Sequence, residues 1–116
     1  MIRDLKTSIW VSALIKRAEI GGAFAHIIHK GDADFGSALI KIVISRQEAK
    51  LLTPSRDGKG DLIWVDLSTQ ITKNTTLGLE ASIDEYIKKR ISQDSDLWVV
   101  EIEDTKGRDF LIERVE

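Results

Sequence analysis

A chain of 116 residues supports one hydrophobic core and is too short for two. Its 42% hydrophobic and 31% charged residues describe an ordinary globular domain rather than a disordered, fibrous or membrane-embedded one. The absence of cysteine excludes disulfides, thiolate catalysis and cysteine-ligated zinc or iron–sulfur sites. A net charge of −2 hides an asymmetry, because residues 94–116 hold eight acids against Lys106, Arg108 and Arg114. That acidic end repels nucleic acid, and the basic N-terminal half is its only counterweight.

Arg3 and Lys6 precede the apolar run Ile9–Ile15, and Ala23-Phe24-Ala25 imitates a cleavage pattern. Lys16, Arg17 and Glu19 then fall where a signal peptide is uncharged, and the run is far short of the ~20 residues of a membrane span. A cytoplasmic address is expected.

Val11, Leu14, Ile15 and Ala18 recur at helical spacing and Gly21-Gly22 stops them, which predicts a helix over about 8–21. Ile9-Trp10-Val11 is equally compatible with a short strand preceding a shorter helix capped by Ser12. Phe24–His29 reads as a strand, broken by Gly31-Asp32-Ala33-Asp34-Phe35-Gly36. In the next strand Ala38, Ile40, Ile42 and Ile44 form an apolar side and Leu39, Lys41, Val43 and Ser45 a mixed one. Residues 49–53 and 62–67 flank a polar loop with Asp57-Gly58 as its tight turn.

Residues 68–78 are polar and read as a loop. Ser82 and Glu85 form a capping box for a helix over about 82–93, with Ile83, Tyr86, Ile87 and Ile91 on its apolar face. Trp98, Val100 and Ile102 point inward from a further strand, and Phe110–Ile112 is expected to return beside it after Lys106-Gly107. The fold class is α+β: a mainly antiparallel sheet of about five or six strands with two helices packed on it, in one domain over 1–116.

Chemistry-bearing patterns are sparse. Asp32 and Asp34 in the glycine loop form a candidate ligand or metal loop with His29, but the spacing departs from a calcium loop, which needs an Asp or Asn where Gly36 stands, a glycine where Ser37 stands and a bidentate acid where Val43 stands. Turn chemistry explains both acids without a ligand. On a strand, the offset between His26 and His29 sends them to opposite faces, which argues against a two-histidine metal site. Asp34 with Glu48-Ala49-Lys50 matches a nuclease-like acid pattern only loosely. Lys88-Lys89-Arg90 is explained by helical ion pairs of Lys88 with Asp84 and of Lys89 with Glu85. Strand 62–67 is apolar on both sides, making Ile63, Trp64 and Val65 a candidate interface. No P-loop, G-x-G-x-x-G or G-x-S-x-G occurs, so no cofactor, catalytic residue or metal is assigned.

Three segments together carry a resemblance: residues 9–17 (Trp10-x-x-Ala13-x-x-x-Arg17), the glycine loop 31–36, and residues 94–104 around Asp96-Leu97-Trp98-Val99-Val100-Glu101. They resemble a family of small single-domain alphaproteobacterial proteins catalogued as a domain of unknown function. Lys16 departs from that pattern, which expects a second arginine. The resemblance implies a bacterial cytoplasmic protein and brings no activity with it.

The reading is a small non-enzymatic binding or assembly domain whose partner is another protein or a second copy of itself, with no membrane. One alternative is a metal-dependent or acid–base enzyme at Asp32 and Asp34 assisted by His26 or His29. The other is a nucleic-acid binder using Lys16, Arg17, Lys30 and Lys41, which the charge balance disfavours. Whether the chain is an enzyme, and which small molecule it takes if any, is not legible here.

Overall fold

In the computed structural model, residues 5–72, 78–113, 115 and 116 are described. The order is α1 (Thr7–Ile20), β1 (Phe24–His29), β2 (Ala38–Val43), β3 (Ala49–Arg56), β4 (Leu62–Asp66), α2 (Ser68–Thr72), α3 (Leu79–Gln93) and β5 (Trp98–Glu103). The strands make one five-stranded sheet in the order β1-β5-β2-β3-β4. Three pairs are antiparallel, and β2 and β5 at the centre run parallel, with Ile40 opposite Val100 and Ile42 opposite Ile102. The fold is thus α+β with a mostly antiparallel sheet.

The expected inward residues do share one core. Ile40, Ile42, Trp98, Val100 and Ile102 are buried against Trp10, Val11, Leu14 and Ala18 of α1, with Ile44 packed alongside. This also decides the open question at residues 9–11, which belong to α1. The mixed side of β2 is not solvated, however. Leu39, Leu51 and Val99 form a second core with Leu97 and with Ile83 and Ile87 of α3. Both faces are covered, so the central strands read as nearly continuous apolar runs.

Three elements differ from expectation. The helix predicted from Ser82 begins at Leu79 with Gly78 as its N-cap, and Ser82 lies buried inside it with its N–H on Gly78 O at 2.9 Å. Leu79 packs on the second core, and that apolar contact outweighs the capping box. Part of the expected polar loop is helical, as α2; residues 73–77 of that loop lie outside the described residues. β3 runs on through Pro54 to Arg56; Pro54 is tolerated because β3 has left β2 by then and pairs only with β4, opposite Trp64.

A fourth difference is at the C-terminus. No strand forms at Phe110–Ile112; the chain crosses α1 as a strap instead. Arg108 Nη2 donates to Gly21 O at 3.0 Å and Arg17 Nε to Phe110 O at 2.8 Å. Further along, Trp10 Nε1 donates to Glu113 Oε2 at 3.4 Å and the Glu116 N–H to Trp64 O at 2.7 Å. Gly21 is required beneath it, since a Cβ there would collide with the Phe110 ring. Trp10 stacks on Trp64 with ring centroids 5.4 Å apart and planes within 10°, tying α1 to the far edge of the sheet. Such a pair contributes ~1 kcal/mol beyond its buried area.

Asp104 starts the strap. Its two oxygens accept from Arg108 Nε, Nη2 and backbone N–H at 2.8, 2.9 and 2.8 Å. The Arg108 guanidinium holds this carboxyl well below the usual range, against the opposing effect of desolvation. The sign follows: the pair's stabilisation is complete above the ordinary value of 3.8 and is lost as pH falls below it toward the depressed folded value. Thermal melts should therefore show Asp104→Asn melting below wild type at neutral pH, with the gap narrowing as pH is lowered to about 2. A gap constant across that range would show that the ion pair is not its source.

Candidate functional site

The glycine loop is bolted to its surroundings. Ser8 N–H donates to Ala33 O at 2.9 Å, Thr7 Oγ1 to Gly36 O at 2.7 Å and Trp98 Nε1 to Asp32 O at 2.7 Å. Asp32 spends its carboxylate on the loop itself, accepting from the Asp34 and Phe35 N–H groups at 3.1 and 2.8 Å. Gly31 is fixed by close approach: a Cβ would run into the Asp96 carbonyl. Asp34 points out to Lys6 at 3.7 Å. His29 uses Nδ1 on Leu97 O at 2.7 Å. Among the described residues no group of three or more His, Asp or Glu is arranged to hold a metal ion.

A bulge in β1 changes the histidine geometry. His26 stands opposite Glu101 and His29 opposite Val99, because the register shifts between Ile27 and His29. The bulge adds a residue to β1 alone, so the offset of three no longer implies opposite faces of the sheet. His26 Nε2 lies 3.5 Å from Glu101 Oε2. Of the candidate interface, Ile63 and Trp64 are buried and Val65 is half-buried.

The most concentrated charge is a cluster that the sequence reading did not assemble, although it named Lys41 and Asp84 separately. Lys41, in central strand β2, is buried with its side chain only 5% exposed. Its Nζ meets Asp84 Oδ1 at 2.8 Å, Glu80 Oε1 at 3.0 Å and Glu101 Oε1 at 3.2 Å. Burial alone would depress its pKa; the hydrogen bonds that the ammonium donates to Asp84, Glu80 and Glu101 override this and hold it above the ordinary lysine value. The early start of α3 is what brings Glu80 within reach. Lys41 is therefore not available to a phosphate, contrary to the nucleic-acid alternative, and Asp84 pairs with Lys41 rather than with the expected Lys88. A lone lysine between Ile40 and Ile42, and two acids four apart at 80 and 84, were the available signals.

The sheet's two edges are unequal. Along β4, Val115 bridges in parallel to Trp64. Beyond β1, no strand pairs among the described residues. Among the described residues, Phe24 (76%), Ile28 (47%) and Ile27 (43%) of β1 and Ile20 (78%) just before it are exposed large hydrophobic side chains.

Comparison with known proteins accords with this fold. The family model described as "Protein of unknown function (DUF1491)" matches residues 5–112, and the chain belongs to that family. It is similar to a DUF1491 family protein from Caulobacter crescentus solved by crystallography, with 43% identity, a TM-score of 0.82, and 97% and 99% of the two chains covered. The NMR structure of a DUF1491 family protein from the same organism gives 43% identity, a TM-score of 0.77 and coverage of 97% and 96%. Protein Atu0922 from A. tumefaciens shares the fold, at 23% identity and a TM-score of 0.66, with 95% and 96% covered. No curated protein matches the chain. Among the described residues, no helix is long and apolar enough to cross a membrane.

The Lys41 cluster predicts a stability effect. Removing one member of a buried ion pair costs about 3–5 kcal/mol, and Glu80 and Asp84 are 44% and 50% exposed, so water screens part of it. Urea titration of Lys41→Met should show a loss of about 2–3 kcal/mol, of which Lys41→Met with Glu101→Gln recovers at least half. Equal losses in the single and double variants would show that Glu101 does not depend on the ammonium.

Proposed function

We propose that this DUF1491 protein is a non-enzymatic assembly domain that pairs with a second copy of itself along the outer edge of β1. The carrying observation is that β1 is an unpaired edge strand with apolar side chains left in water. A six-residue strand offers a hydrogen-bonding edge ~20 Å long. Sheet edges are ordinarily blunted by proline, lysine or buried charge, and Phe24–His29 contains no proline, lysine or acid. Its one protective device is the bulge at Ile27/His29.

Symmetry favours a second copy as occupant. Joining β1 of one copy to β4 of the next would propagate without closure. The contact of Val115 with Trp64 obstructs that route by lying against β4. Antiparallel pairing of β1 with β1 of another copy closes after two chains, and each edge groove meets its own equivalent. A bacterial cytoplasmic location is part of this reading.

Light scattering on a sizing column at about 100 μM, above a micromolar dissociation constant, should give twice the 13.0 kDa chain mass. Ile27→Lys places a charge on an exposed edge position and should return the protein to monomer with its melting temperature nearly unchanged. Val65→Lys tests the β4 surface in the same way. A wild-type monomer overturns self-association; a dimer broken by Val65→Lys and not by Ile27→Lys moves the interface to Ile63, Trp64 and Val65.

A further inference from the structure

A cleft unrelated to the proposed self-association lies between the glycine loop and the β3–β4 hairpin. It has a volume of about 360 Å³ and is lined by Asp34, Phe35, Ser37, Ser55, Arg56 and Leu62, among others. That is the lower end of the size range for small-molecule sites.

Phe35 is the unusual member. It is 91% exposed, the most exposed of the large hydrophobic side chains described. An exposed aromatic on a loose loop is unremarkable, but this loop is clamped. Its Ala33 and Gly36 carbonyls are held by Ser8 and Thr7, its Asp32 carbonyl by Trp98, and the Phe35 N–H itself by Asp32 Oδ2. The backbone that carries the exposed ring at the rim of the cleft is therefore held, so little backbone ordering entropy is lost when something stacks on it.

The charge at the cleft is also selective. Lys6 stands 3.7 Å from Asp34 and offsets it. Asp57, next to Arg56, turns its carboxylate into its own loop, accepting from the Lys59 and Asp61 N–H groups at 2.8 and 3.0 Å. Arg56 has one modest hydrogen bond, Nη1 to Gly60 O at 3.3 Å, and forms no ion pair among the described residues. A guanidinium so placed presents a fork suited to carboxylate or phosphate. Ser37 and Ser55 add hydroxyls, and Leu62 adds apolar wall.

We infer that this cleft binds a small molecule combining a planar ring with one anionic group, the ring stacking on Phe35 and the anion meeting Arg56. The chemistry is shared by aromatic carboxylates and nucleoside monophosphates, so the test uses both. Amide spectra of the ¹⁵N-labelled protein are followed during titration with adenosine 5′-monophosphate and with indole-3-acetate, and with adenosine and inorganic phosphate as single-feature probes. The expected result is saturable shifts at residues 34–37, 55 and 56 for at least one two-feature probe, about tenfold tighter than for either single-feature probe. Whichever two-feature probe binds tighter identifies the anion. Phe35→Ala and Arg56→Gln, both at exposed positions, should keep the remaining spectrum and each weaken binding about tenfold. No shift at those residues up to millimolar concentration of either two-feature probe overturns the inference. So does binding that inorganic phosphate matches, or that Arg56→Gln leaves unchanged. The monomeric Ile27→Lys variant should bind as wild type does, which separates this result from that on assembly.

Discussion

The parallel contact of β2 with β5 is the constraint on which the rest of this molecule depends. It places Ala38–Val43 beside Trp98–Glu103 at the centre of the sheet, where both strands bury apolar side chains on both faces. Neither face can then be left in water, so each needs its own cover. α1 and the C-terminal strap supply one, α3 and α2 the other. Parallel neighbours also require a long connection, and the whole stretch from β3 through α3 is that connection. β1 takes the remaining place beside β5, which leaves it outermost and partly bare.

Lys41 is the exception inside this dry centre, and it explains where α3 sits. An ammonium there is tolerable only with compensating charge, and three carboxylates from α3 and β5 provide it. Apolar packing alone permits a helix to slide along a sheet. Glu80 and Asp84, one turn apart, meet a single Nζ in one register of α3. On the opposite face the Trp10–Trp64 stack makes the corresponding connection for α1, reaching past the central strands to β4.

Alternation was legible wherever one side of a strand differed from the other, and strand ends bounded by glycine came out close to the observed limits. What alternation could not show was that the mixed side of β2 is buried too, because Leu39, Lys41 and Val43 look half-solvated until α3 is in place. Parallel pairing was invisible for a related reason: it is set by connections, not by any local pattern. The capping box failed at Ser82 because a cap contributes only ~1 kcal/mol, whereas the longer helix both packs half-buried Leu79 on the second core and brings Glu80 to Lys41. Phe110–Ile112 has strand-like composition, yet Asp104, Arg108 and Arg17 direct the chain across α1 instead. The site was legible only in part. Asp32 and Asp34 marked a real structural loop, while Phe35, between two flanking signals, and Arg56, at the end of a longer β3, carried no pattern of their own.

Two features are not accounted for by folding: the bare edge of β1 and the outward ring of Phe35. Elsewhere the chain takes trouble to cover such surface, as where Gly21 makes room for the Phe110 ring and where the last residues lie along β4. A polar residue at either place would cost the monomer little, since neither side chain is packed. The loop that presents Phe35 has the same hydrogen bonds whatever that side chain is, because they are made by backbone groups, Asp32, Thr7 and Trp98. Apolar character at these two places is what the proposed occupants would use. The two places differ in form, an extended backbone edge at one and a single exposed ring sharing a cleft with Arg56 at the other. Under these proposals the edge would be completed by another strand and the cleft by a small anion, so the two surfaces call for separate occupants.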